Sequence, residues 1–231
     1  MSSPSLHGDV RAYLLIPAGG RGLRMGGGTP KQFRDWGGMP LLRATAEAFL
    51  VSGMPPLAGV AFAVPEDRVA EVESWALGVP TWVTVGGASR QDSVAAALAL
   101  LPDGPDLPVM IHDAVRPFPP QAPIRDALSA LAFADGSLLA EASTDTLKRV
   151  DAEGSVLATE PREHIFRAQT PQIARLSTWR RAFEWASECG FTGTDDASLL
   201  ESMGLRVKVI PSSASNLKVT TPEDWYRFSP R

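Results

Sequence analysis

Short apolar runs alternate along this chain with longer segments of helical spacing, and that alternation limits the fold more than any other feature. Runs at 13–17, 59–64, 82–85, 107–111 and 137–142 have the length and bulk of buried strands. Between them lie segments at 40–51, 66–77, 89–101 and 120–133 with helical periodicity; in the first, Leu41, Leu42, Thr45, Ala48 and Phe49 share one face. Gly53 and Pro55 end that helix. Strand, helix and strand in repetition predict an α/β fold, a mostly parallel sheet flanked by helices. After 142 the rhythm breaks. The segment 143–165 is polar, charge-rich and interrupted by Gly154 and Pro161. It reads as an extended arm or hairpin, and excursions of this length are usually functional or interaction elements. Alternation resumes with helices at 177–189 and 195–203, a strand at 206–210 and a helix opened by Pro222.

A length of 231 residues suits one large domain, 1–231, with the arm inside it. With 44% hydrophobic and 21% charged residues, neither disorder nor a fibrous repeat is suggested. A net charge of -4 argues against a nucleic-acid binder, which usually carries a basic footprint. The single cysteine, Cys189, can form neither an intrachain disulfide nor a multi-cysteine zinc site. The N-terminus lacks the basic stretch and apolar run of a secretory signal, and no apolar stretch approaches the ~20 residues that span a bilayer. The expectation is a cytoplasmic protein without a membrane segment.

The first strand runs straight into Pro17-Ala18-Gly19-Gly20-Arg21-Gly22-Leu23-Arg24-Met25-Gly26-Gly27-Gly28-Thr29-Pro30-Lys31. Open α/β sheets bind ligands beyond the carboxyl ends of their strands, and glycine lets backbone N–H groups approach a phosphate. Arg21, Arg24 and Lys31 add positive charge. Two common phosphate motifs fail here. A P-loop ends in Gly-Lys-Ser/Thr, whereas Lys31 stands between Pro30 and Gln32. A dinucleotide fingerprint starting at Gly20 meets Met25 where its last glycine belongs, and one starting at Gly22 meets Arg24. The plain alternative is a solvated surface loop, which the position after strand one disfavours.

A second cluster, His112-Asp113-Ala114-Val115-Arg116-Pro117, closes the run at 107–111. Asp113 is a candidate ligand for a divalent cation bridging phosphates, and Arg116 a candidate phosphate clamp. The competing reading is an Asp–Arg pair that closes a turn. His112 reads as a satisfied buried imidazole rather than a catalyst. Weaker signals are Gly86-Gly87-Ala88-Ser89-Arg90 with Ser93, Thr144-Asp145-Thr146-Leu147-Lys148, Thr170-Pro171-Gln172, Thr194-Asp195-Asp196 and Asn216-Leu217-Lys218-Val219-Thr220. Ser89 and the Thr194-Asp195 pair also read as ordinary helix caps, and Lys218 as a surface charge.

In this order and spacing these motifs resemble one family, the 2-C-methyl-D-erythritol 4-phosphate cytidylyltransferases of the non-mevalonate isoprenoid pathway. The resemblance spans about residues 14–225. It implies a Rossmann-like sheet of the nucleotide-diphospho-sugar transferase type with a protruding β-arm. It also implies that Ala18, Gly19, Gly20, Arg24 and Lys31 hold the phosphates of CTP, that Gly87, Arg90 and Ser93 shape the cytidine pocket, and that Ala114 lies beside the nucleotide. Asp113, Arg116, Thr170, Thr194 and Lys218 would line the acceptor site or its junction with CTP. The arm would pack into a second subunit, so that Thr146 and Arg162 complete the partner's acceptor site in a homodimer.

Two positions depart from the family pattern: Gly19 stands where a second Ala is common, and Ala88 where some members carry Asp. Both contacts can be made by backbone. Catalysis would rest on Arg24, Lys31 and Lys218 around the α-phosphate, with Mg2+ carried mainly by the CTP phosphates and Asp113 nearby. The chain's ending six residues after Trp225 suggests no appended cyclase domain. Two alternatives stay open: a cytidylyltransferase for ribitol 5-phosphate or another polyol or sugar phosphate, and a catalytically inactive nucleotide-binding regulator.

Overall fold

The computed structural model describes residues 10–20 and 28–230. Its centre is a seven-stranded sheet made by β1 (Ala12–Pro17), β2 (Leu57–Val64), β3 (Thr81–Val85), β4 (Pro108–Ile111), β5 (Gly136–Ala142), β8 (Phe166–Arg175) and β9 (Val207–Pro211). The spatial order is β3-β2-β1-β4-β8-β5-β9. β1 pairs in parallel with β2 and β4, β2 with β3, and β5 with β9. β8 runs antiparallel between β4 and β5.

Strand alternation divides the core. Leu14 and Ile16 of β1 point to the layer formed by α1 (Leu41–Glu47), α2 (Val69–Glu73) and α4 (Gln121–Ala130). Tyr13 and Leu15 point to the opposite layer of α3 (Arg90–Ala99), α5 (Leu176–Cys189) and α6 (Ala197–Ser202). Successive side chains on a strand face opposite ways, so a strand covered on both faces is apolar throughout. That is why β1 and β2 read as continuous hydrophobic runs.

The arm is a hairpin of β6 (Leu147–Val150) and β7 (Val156–Glu160), followed by a short 3-10 turn at Arg162–His164. A last helix, α7 (Pro222–Phe228), packs beside the segment after Lys31: Trp225 meets Trp36 edge to face at 5.0 Å. Thr221 and Asp224 form a capping box that starts α7.

The structure corrects the sequence reading in two places. The helix expected at 66–77 is a 3-10 turn at Glu66–Arg68 followed by the short α2, with Gly78 at φ 75° beyond it. More important, 166–175 carries no strand signal in the sequence, yet it forms β8, a ten-residue strand that joins β4 to β5. Its polar residues Arg167, Gln169, Thr170 and Gln172, together with Pro171, conceal the strand.

Candidate active site

β1 and β4 lie side by side, but the chain leaves β1 toward β2 and β3 on one side and returns to β4 on the other. Such a switch opens a crevice at the carboxyl ends of the strands. A pocket of about 290 Å³ occupies it. Pro17, Ala18, Gly19 and Gly20 line one wall, Gly87 through Arg90 with Ser93 another, and Asp113 through Val115 the floor. Lys31 and Lys218 complete it. Of the candidates from sequence, Ala18, Gly19, Gly20, Lys31, Gly87, Arg90, Ser93, Asp113, Ala114 and Lys218 therefore meet in one cavity. Arg21 and Arg24 lie outside the described residues.

The walls are shaped by local bonding. Gln32, nearly fully buried, donates to the carbonyls of Ala18 at 2.7 Å and Gly20 at 2.6 Å, and so sets the course of the first loop. Ser89 caps α3 in a capping box with Asp92. The Ser93 hydroxyl accepts from Gly87 N at 3.1 Å and donates to Ser89 O at 2.9 Å. The two loops meet closely, because a Cβ on Gly86 would come within 3.0 Å of Gly19 Cα. A Cβ on Gly87 would lie 2.3 Å from Asp92 Cβ, so only glycine fits there.

Asp113 is the electrostatic centre. Its Oδ2 lies 3.0 Å from Lys218 Nζ and 3.1 Å from Arg116 Nε, while Oδ1 faces Arg90 Nη2 at 3.6 Å. Burial pushes its pKa up, but Lys218, Arg90 and Arg116 outweigh that and hold it well below the usual carboxylate range. Its backbone N–H donates to Thr170 Oγ1 at 3.0 Å, and that hydroxyl also meets His112 Nδ1 at 3.0 Å. His112 Nε2 lies 3.0 Å from Arg116 O. With both ring nitrogens engaged and no exposure, burial lowers the His112 pKa to about 4. The imidazole is neutral at pH 7 and supports the Asp113 loop.

Arg116 and Thr170 thus sit behind Asp113 rather than on the cavity surface. The phosphate contact expected of Arg116 gives way to the alternative reading, an Asp–Arg pair: its guanidinium is buried on Asp113 and on Asn216 O at 2.6 Å. Thr170 spends its hydroxyl on Asp113 N and His112. Thr194 is exposed on the loop before α6. Thr146 and Arg162 lie on the exposed arm, where Arg162 donates to Thr144 O, and neither lines this pocket.

Three further side chains brace the pocket: Gln91, which no sequence motif includes, and Gln172 and Asp196, which stand in weak sequence motifs with no role assigned to them. Gln91 Nε2 donates to Phe191 O at 3.0 Å, and its Oε1 accepts from Gly193 N at 3.1 Å. Gln172 Nε2 donates to Asp195 Oδ2 at 2.7 Å, and its Oε1 accepts from Ala197 N at 2.7 Å. Asp196 binds Arg90 at 2.7 Å across 106 positions of sequence. Their partners are remote in sequence, so no local spacing announces them.

Among the described residues no group of three or more His, Cys, Asp or Glu side chains is arranged to hold a metal ion. Asp113, ringed by three cations, sits in a positive local field that disfavours a divalent ion. These residues do not fit a protein-held magnesium. No helix among the described residues is long and apolar enough to cross a membrane.

A crevice at a strand switch point, with glycine-bearing loops, lysines on two sides and no histidine among its described lining residues, fits a nucleotidyltransferase of the α/β class. The family model for 2-C-methyl-D-erythritol 4-phosphate cytidylyltransferase matches residues 12–228. A protein of that name from Acidobacterium capsulatum is 40% identical over 228 residues, covering 93% of this chain and 94% of its own. Its namesake from Xanthomonas campestris pv. campestris is 40% identical over 222 residues, covering 94% and 82%. The crystal structure of the Francisella tularensis 2-C-methyl-D-erythritol 4-phosphate cytidylyltransferase matches with a TM-score of 0.79 at 29% identity, covering 94% of this chain and 97% of that one. The 4-diphosphocytidyl-2C-methyl-D-erythritol synthase of Anaerococcus prevotii gives a TM-score of 0.79 at 25% identity, covering 95% and 97%. The chain belongs to the 2-C-methyl-D-erythritol 4-phosphate cytidylyltransferase family, CTP-dependent enzymes of the non-mevalonate isoprenoid pathway.

Proposed function

We propose that the pocket transfers CMP from CTP to 2-C-methyl-D-erythritol 4-phosphate, with Lys31 and Lys218 flanking the reacting α-phosphate. The observation that carries this reading is the meeting of both lysines, from opposite ends of the chain, with Asp113 in one glycine-walled cavity. An oxygen of the acceptor's phosphate monoester attacks the α-phosphorus. The bond to the bridging oxygen of the β-phosphate breaks, and pyrophosphate leaves with the electron pair. The attacking oxygen is already ionised near neutral pH, so no general base is required. Positioning and charge stabilisation supply the rate, which agrees with a buried, neutral His112.

In this reading the backbone of Ala18, Gly19 and Gly20 receives phosphate oxygens together with Lys31 and Arg24. Gly87, Arg90, Ser93 and Ala114 shape the nucleoside end. Asp113 faces the acceptor, and Arg116 and Thr170 hold it in place. Magnesium enters as a companion of the triphosphate, which brings its own oxygen ligands, rather than as a ligand of Asp113. Thr146 and Arg162 reach the acceptor of a second subunit through the arm, whose Val150, Val156 and Leu157 are exposed apolar surface. The enzyme works in the cytoplasm as a homodimer. Thr194 contacts the acceptor from the loop before α6.

Pyrophosphate release by purified protein with CTP, magnesium and methylerythritol phosphate tests the reading, with ribitol 5-phosphate as the parallel acceptor. Turnover with methylerythritol phosphate is expected. Preference for ribitol 5-phosphate, or no release with either, overturns it.

A further inference from the structure

Asp196 is 2% exposed, and its Oδ2 is buried without a hydrogen-bond partner among the described residues. A buried carboxylate is costly unless it is paired, and among the described residues the cation that meets this one is Arg90, with Nη1 at 2.7 Å from Oδ1. Asp196 does not serve as a helix cap: it makes no capping bond, and Ser198 N takes its cap from Asp195 Oδ1 at 3.0 Å. Its place is nevertheless tightly fixed. Gln91 and Gln172 pin the backbone on both sides through Phe191, Gly193 and Ala197.

Arg90 therefore stands between two carboxylates, close to Asp196 and 3.6 Å from Asp113 Oδ1. The longer separation is beyond hydrogen-bonding distance. Asp113 lines the cavity; its Oδ2 is taken by Lys218 and Arg116, whereas Oδ1 accepts no hydrogen bond among the described residues and has Arg90 only at the longer distance.

We infer that Asp196 is a positioning residue for the acceptor side of the pocket: it draws the Arg90 guanidinium away from Asp113 and leaves Asp113 Oδ1 open to accept a hydroxyl of the polyol phosphate. The inference rests on the function proposed above. Without the charge of Asp196, Arg90 closes onto Asp113 and occupies the oxygen that the polyol needs. Asp196 itself touches no substrate.

The test compares wild type, Asp196→Asn and the double variant Asp196→Leu/Arg90→Met in steady-state kinetics, with thermal melts to verify folding. The double variant removes the buried carboxylate together with its half-exposed partner, so no unpaired charge is left inside and folding is expected to persist, which the melts verify. At saturating CTP, Asp196→Asn is expected to raise the KM for methylerythritol phosphate about tenfold, the value of one charge-assisted hydrogen bond. In the double variant no guanidinium remains to cover Asp113, so at saturating CTP the acceptor KM falls back to within about threefold of wild type. A merely structural Asp196 predicts the opposite order, with the double variant at least as impaired as the single. An acceptor KM unchanged in Asp196→Asn, or no recovery in the double variant, overturns the inference while wild-type turnover keeps the proposed function standing. A wild type inactive toward methylerythritol phosphate overturns both.

Discussion

Lys31 Nζ donates a 2.8 Å hydrogen bond to the carbonyl oxygen of Val219, 188 positions away and next to Lys218. Val219 is a hub: its side chain is fully buried and its N–H bonds Val115 O at 2.9 Å. The spacing of the two lysines is therefore set by the core and by the Asp113 loop. Lys31→Ala removes a half-buried side chain from a surface cavity, so folding should persist while turnover falls ~10²–10³-fold, by analogy with the loss of one transition-state donor. Pyrophosphate release and a thermal melt check this; near-normal turnover would remove Lys31 from the chemistry.

Gly87→Ala should damage nucleotide binding before it damages the rest of the fold. The new Cβ would lie 2.3 Å from Asp92 Cβ and 3.1 Å from Asp92 C, within the capping box of α3. Overpacking of this kind costs about 1–3 kcal/mol. Urea denaturation should show a lowered midpoint, and the KM for CTP should rise. An unchanged KM would place the nucleoside elsewhere.

Acid should weaken the protein in two windows. The His112 pKa is lowered from 6.5 to about 4, so its stabilisation is complete above pH 6.5 and is lost as pH falls toward about 4. That difference amounts to roughly 3 kcal/mol. Asp113, also depressed, contributes fully above its unfolded pKa of 3.8 and loses that contribution at lower pH still. Urea titrations at pH 7 and pH 4.5 should differ in wild type and differ less in His112→Gln; an equal difference in both would assign the slope to other groups.

Chelation should separate the two candidate homes for magnesium. EDTA is expected to abolish turnover, and excess magnesium to restore it. Asp113→Asn should lower turnover while leaving the magnesium concentration for half-maximal rate unchanged, because the ion travels on the triphosphate. A large rise in that concentration would make Asp113 a ligand.

The first half of the molecule was legible because β1, β2 and β4 are apolar on both faces, from Leu14 and Ile16 to Val109 and Ile111, and glycine or proline marks the turns. The pocket's backbone-lined walls were legible for the same reason, since Gly19, Gly20 and Gly87 sit at strand ends. β8 was not. Its side chains bolt the crevice together, with Thr170 under Asp113 and Gln172 on the loop before α6, and that polarity hides a strand lying inside the sheet. Arg116 was read as reaching outward because sequence supplies its charge but not the Asn216 carbonyl that turns it inward. Asp196 carries no local signal, because its partner Arg90 lies 106 positions away.

β8 also dictates an order of assembly. β5 has no neighbour among the earlier strands; it joins β4 only through β8, which is made some 25 residues later, beyond the arm. While the chain emerges from the ribosome, β1 to β4 can pair among themselves as soon as they appear. β5 must wait, unpaired, for the return of the chain from the arm. In order of synthesis, then, the sheet has no partner for the β4 edge, and the crevice floor around Asp113 no Thr170, until β8 has been made.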